Sequence, residues 1–77
     1  METKENAPTI LTQTLLSGAT SVTFSGLPTT DDWLIDFYAE NGANYSAIDL
    51  STAGTAILTY EAPSTNVTIY CVVREVV

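Results

Sequence analysis

The chain contains no histidine, a single cysteine and only two basic residues among its 77. Without His, the commonest general base and metal ligand is missing, and a Ser-His-Asp arrangement cannot be assembled. Cys71 has no second thiol to pair with, so an internal disulfide and a structural zinc site of the usual kind are both excluded. Lys4 and Arg74 stand against nine Asp and Glu, leaving a formal net charge of −7. So little basic charge gives no footprint for a phosphate backbone, and no nucleic-acid partner is expected. No apolar run approaches the roughly 18 residues of a membrane span, so no membrane partner is expected either. The polar opening from Met1 to Pro8 lacks the apolar stretch of a secretory signal. Neither GxxxxGK[ST] nor GxGxxG occurs, and no cofactor is implied.

The side chains that remain offer little chemistry. Asp31, Asp32 and Asp36 form the one carboxylate cluster. On an extended strand Asp32 and Asp36 stand roughly 13 Å apart, too far for one cation to bridge without a bulge. They are read as solvated or turn-forming, and no metal site is expected. Cys71 lies inside the apolar run Ile69–Val73 with no base to activate it, which makes it an inert core thiol. A two-carboxylate glycosidase site needs a concave cleft that a chain this short has little material to build. The protein is expected to be non-enzymatic.

What is present is a core. Hydrophobic residues make up 45% of the chain and charged residues 14%, too apolar a balance for an acidic disordered tail. A domain of this size buries roughly 60–65% of its unfolded surface, and with disulfides and zinc excluded, association is the remaining route to added stability. Gly18, Gly26, Pro28, Gly42, Gly54 and Pro63 punctuate runs rich in Val, Ile, Thr, Tyr and Phe. That rhythm predicts an all-β fold, a small antiparallel sandwich of six to seven strands, with essentially no helix. Strands are expected at 10–16, 21–25, 32–39, 45–50, 55–60 and 66–75. Ser17–Thr20 is expected to form a hairpin turn between the first two strands, and Asn41-Gly42 a tight hairpin turn after the third. Residues 1–9 carry no pattern and are expected to be a flexible arm that orders on a partner; residues 10–77 form the single domain.

Period-2 alternation divides each strand into two faces. Trp33, Ile35, Phe37 and Ala39 fall on one, with Val67, Ile69, Cys71 and Val73; Val22, Phe24, Ile48, Leu50, Ala56, Leu58 and Tyr60 complete the expected interior. The opposite faces of the third and last strands are unusually apolar. If those strands are neighbours, Leu34, Tyr38, Tyr70 and Val72 form a contiguous patch, with Asp36 and Arg74 placed to make one charge-assisted contact within it. These six residues are the candidate interaction surface. Tyr38, Tyr45 and Tyr70 are the aromatics available for a stacking platform, while Trp33 and Tyr60 are assigned to the core.

Five segments in order, Thr14–Phe24, Asp32–Tyr38, Tyr45–Ile48, Ala56–Ala62 and Val67–Val73, resemble a small β-sandwich domain of structural proteins in tailed bacteriophages and prophages. The resemblance implies a virion structural protein acting through protein–protein contacts, in a tail, fibre or capsid-decoration role. It implies assembly in the bacterial host cytoplasm, with itself and other virion proteins as partners. The short chain, Met start and missing stalk favour a small standalone component, such as a capsid decoration or head-fibre attachment protein, with an excised terminal domain as the alternative. The family carries no transferable motif of functional residues, so no site comes with it. A receptor- or carbohydrate-binding module acting on a host-surface glycan, or an immunoglobulin-like spacer, are the alternatives.

Overall fold

The computed structural model describes residues 8–30 and 32–75. Six strands follow in order: β1 (Thr9–Leu15), β2 (Ser21–Phe24), β3 (Trp33–Ala39), β4 (Ala47–Asp49), β5 (Ala56–Thr59) and β6 (Val67–Glu75). No helix occurs among the described residues. The strands form two antiparallel three-stranded sheets, β1-β6-β3 and β2-β5-β4, which bear out the expected all-β sandwich. Most of the expected arm lies outside the described residues, but Thr9 already pairs with Val73 as the first residue of β1.

The core is the product of alternation on the central strands. Val67, Ile69, Cys71 and Val73 of β6 point inward, and Ile69 and Cys71 are completely buried. From the facing sheet come Val22, Phe24, Ala56 and Leu58, with Tyr60 just beyond β5. Trp33, Ile35, Phe37 and Ala39 of β3 are half-buried against this cluster, as edge-strand residues are when one flank is open. Leu15 and Leu27 join the core as well. Neither was assigned to it from the sequence: Leu15 sits among Thr and Gln in β1, and Leu27 lies in a loop with no periodicity to mark it.

Four expectations need correction. Leu50 is not interior but 63% exposed. The Asp49 carboxylate accepts a hydrogen bond from the Ser51 amide at 2.9 Å, which turns the chain out of the sheet after Asp49. That turn also cuts the fourth strand from the expected 45–50 to its three residues.

The Ser17–Thr20 segment is no hairpin, since β1 pairs with β6 and β2 with β5. It is an arch between sheets, braced by Gly18 N–H donating to the Pro63 carbonyl at 2.9 Å and Ser17 N–H to the Asn66 side chain at 2.9 Å. Asn41-Gly42 likewise carries the chain from one sheet to the other. Only Gly42 has positive φ, so the two positive values of a tight I′ hairpin are absent. Instead the Asn41 side chain accepts from Ala43 N–H at 3.0 Å, and Gly42 N–H donates to the Ala39 carbonyl. Among the described residues, the one hairpin between consecutive strands is β4–β5. Its Gly54 combines φ +76° with a close approach to Leu27, whose carbonyl oxygen would lie 3.2 Å from an added Cβ.

Two leucines from this description make opposite predictions. Leu58→Ala, at a fully buried position, is expected to lower unfolding stability by about 3 kcal/mol. Leu50→Ala is expected to change it by less than about 0.5 kcal/mol. Urea unfolding of both variants checks the assignment, and equal losses would contradict it.

Candidate functional site

The outer face of β1-β6-β3 gathers every residue of the predicted interaction surface. Because β3 does pair with β6, Leu34 stands opposite Arg74, Asp36 opposite Val72, and Tyr38 opposite Tyr70. On the far side of β6, β1 adds Ile10 beside Val72 and Thr12 beside Tyr70. Ile10, Leu34 and Tyr38 are each more than half exposed, and Tyr70 is 37% exposed. Ile10 was missed from the sequence. Its signal was its step: one residue out of phase with Leu11 and Leu15, it must face the other way. Asp36 and Arg74 are diagonal rather than direct neighbours, and among the described residues no ion pair joins them.

The other sheet's outer face is chemically different. It presents Ser21, Thr23, Ala47, Asp49 and Thr59, with Ile57 as its one large apolar side chain. Asp49 is held below its ordinary range by the Ser51 hydroxyl and amide, in keeping with a solvated turn. The molecule therefore has one apolar outer face and one polar outer face.

A second feature lies where the sheets part. β1 and β2 run side by side at one flank. At the other, between β3 and β4, a cleft of about 370 Å³ opens, lined by Leu27, Ile35, Phe37, Tyr45, Ile48 and Leu50, with Asp36 and Tyr38 at its β3 side. A ladder of rings runs inward from it: Tyr45 meets Phe37 and Tyr60 edge-on at 6.2 and 6.3 Å, and Phe37 packs on Phe24 at 5.6 Å. This divides the three tyrosines of the expected platform. Tyr38 and Tyr70 are a cross-strand pair on the outer face, whereas Tyr45 belongs to the cleft. Tyr60, in contact with it, is buried, which pushes its hydroxyl above the ordinary tyrosine range.

The remaining candidates show no assembled chemistry. Asp31 lies outside the described residues; Asp32 precedes β3, and Asp36 points outward at mid-strand. Among the described residues no three His, Cys, Asp or Glu side chains converge. Cys71 is fully buried. Burial, with the Asp36 carboxylate as a lesser contributor, pushes its thiol up from 9.0 to about 11.

A thiol with this environment is expected to react with a thiol reagent at pH 8 only at the rate of global unfolding, and promptly once denaturant is added. Its folded-state pKa is the higher one, so its stabilising contribution is complete below about pH 9 and is lost as pH rises through about 11. Cys71→Ala should flatten the start of that alkaline limb in urea unfolding, leaving the Tyr60 contribution. Rapid labelling of the native protein would contradict the core assignment.

Compared with known proteins, the chain matches no family model, no curated protein and no solved structure.

Proposed function

We propose that this protein is a non-enzymatic virion structural protein of a bacteriophage, working by protein–protein contact through the outer face of β1-β6-β3. The observation that carries the contact reading is the contrast between the two outer faces. Sheets wetted on one side alternate apolar-in and polar-out, as β2-β5-β4 does. The β1-β6-β3 sheet instead turns Ile10, Leu34, Tyr38 and Tyr70 to solvent. Contiguous exposed apolar residues of this kind mark contact surfaces, and aromatics are enriched there.

The arrangement suits self-association. Arg74, the only cation among the described residues, sits on this face with Asp36 one diagonal step away, unpaired with it within the chain. Across a two-fold contact, Arg74 of one copy and Asp36 of the other supply register, while the apolar groups supply most of the affinity. The virion assignment is supported by the sequence resemblance to phage structural domains. A glycan-binding role would look for its site in the β3–β4 cleft. Its lining is apolar, four aliphatic and three aromatic side chains with Asp36 as the one charged group, which leaves few polar groups to hydrogen-bond a sugar.

The experiment is Tyr70→Glu, which places a carboxylate in the patch without touching the core. Light scattering on the eluting protein is expected to give an oligomeric mass for the parent chain and a monomeric mass for the variant, with an unchanged far-UV circular dichroism spectrum and a lower, concentration-independent Tm. A parent chain that is monomeric at about 100 μM, weaker than any stable dimer, would sink the self-association reading. So would a variant with unaltered mass.

A further inference from the structure

The free edge of β3 is a feature separate from the apolar outer face, although the two share Asp36. Glu40 N–H donates to the Thr68 carbonyl at 2.9 Å, and these two residues continue the β3–β6 register. That bond marks the hydrogen-bonded pairs of the ladder. By alternation, the peptide groups of Leu34, Asp36 and Tyr38 face β6. Those of Ile35 and Phe37 face away from it, toward the open flank.

Proteins usually blunt such edges by shortening the strand, or with charged side chains, Lys above all, Pro or a bulge. β4, the facing edge of the other sheet, is three residues long. β3 is seven residues long, in unbroken register, without Lys or Pro, and its one charged side chain is Asp36, which repels an acidic strand but not a basic one. Beside its free N–H and C=O groups lies the apolar cleft. A strand laid along this edge would send alternate side chains into the cleft and the others onto the outer face beside Asp36.

Charge selects the occupant. Asp36 lies at the middle of the strand, with Asp32 before it and Glu40 after it. A second copy of β3 would bring a further Asp36 and a further net charge of −7 to this edge. Like charges facing each other across strands are destabilising. We infer that the β3 edge accepts an extended segment of another protein as an added strand. Alternate residues of that segment are apolar and fill the cleft between Ile35, Phe37 and Ile48; the intervening ones are Lys or Arg and lie beside Asp36.

The probe is an end-blocked peptide of alternating Lys and Val, about seven residues long to match β3. At saturation, amide exchange at Ile35 and Phe37 is expected to slow by at least about tenfold, as closing a hydrogen bond requires. Binding should weaken by at least about tenfold when the peptide's edge-facing amides are N-methylated, because its side chains remain but its donors do not. A Glu–Val peptide, and the parent peptide with an Asp36→Lys variant of unchanged circular dichroism, should show comparable losses. Equal binding of the methylated peptide would reduce the effect to charge attraction and overturn the inference. No binding of the Lys–Val peptide would overturn it too. The same holds if Ile35 and Phe37 amides are already protected in the protein alone, since the edge would then be occupied by the chain or a second copy.

Discussion

β6 pairs along both of its sides, with β1 through Thr9–Leu15 and with β3 through Trp33–Ala39, while its inner side chains meet the facing sheet. Ile69 and Cys71 at its centre share the core with Phe24 and Leu58, and all four are fully buried. With no cross-link available, this single interdigitated layer supplies the apolar burial that holds two three-stranded sheets together. A polar side chain at 69 or 71 would lie where neither water nor a spare hydrogen-bond partner reaches.

The same strand sets up the exterior. Period-2 geometry forces Tyr70, Val72 and Arg74 to the opposite face once Ile69, Cys71 and Val73 face inward. Pairing on both sides then lays Ile10, Leu34 and Tyr38 alongside them. The apolar outer face is thus a geometric consequence of the core. Its apolar composition is not, because β2-β5-β4 meets the same geometry with Ser, Thr and Asp outside. The two surface features have separate physical origins: the outer face is a surplus of exposed apolar side chains, and the β3 edge is a row of peptide groups outside the β3–β6 ladder beside an open cleft.

The strands were legible because β-branched and aromatic residues cluster between the Gly and Pro marks, and stepping by two divided β2, β3, β5 and β6 into faces even where both faces are apolar. The six surface candidates followed from that alternation, and β3–β6 pairing turned them into one patch. Less was legible in segments without a period. Leu27 packs into the core from a loop, and Leu50 is turned outward by the Asp49–Ser51 hydrogen bond. Ile10 was overlooked for a related reason: β1 is half Thr and Gln, so its outward apolar residue stood out less than those of β3 and β6.

Local chemistry, carried by side-chain size, branching and backbone preference, sufficed to specify an all-β chain, the approximate places of its strands, the inward sides of β2, β3, β5 and β6 and the burial of Cys71. Which strands pair, and hence which faces join, was not local information. Ser17–Thr20 and Asn41-Gly42 have the composition of hairpin turns, yet each carries the chain across to the other sheet. A turn's sequence sets its own dihedrals, but the partner of the strand that follows is chosen by which apolar face it can bury. The cleft between β3 and β4 and the free edge beside it come from that choice. They exist because β3 joined β6 and β4 joined β5, and no short window of the chain encodes that arrangement.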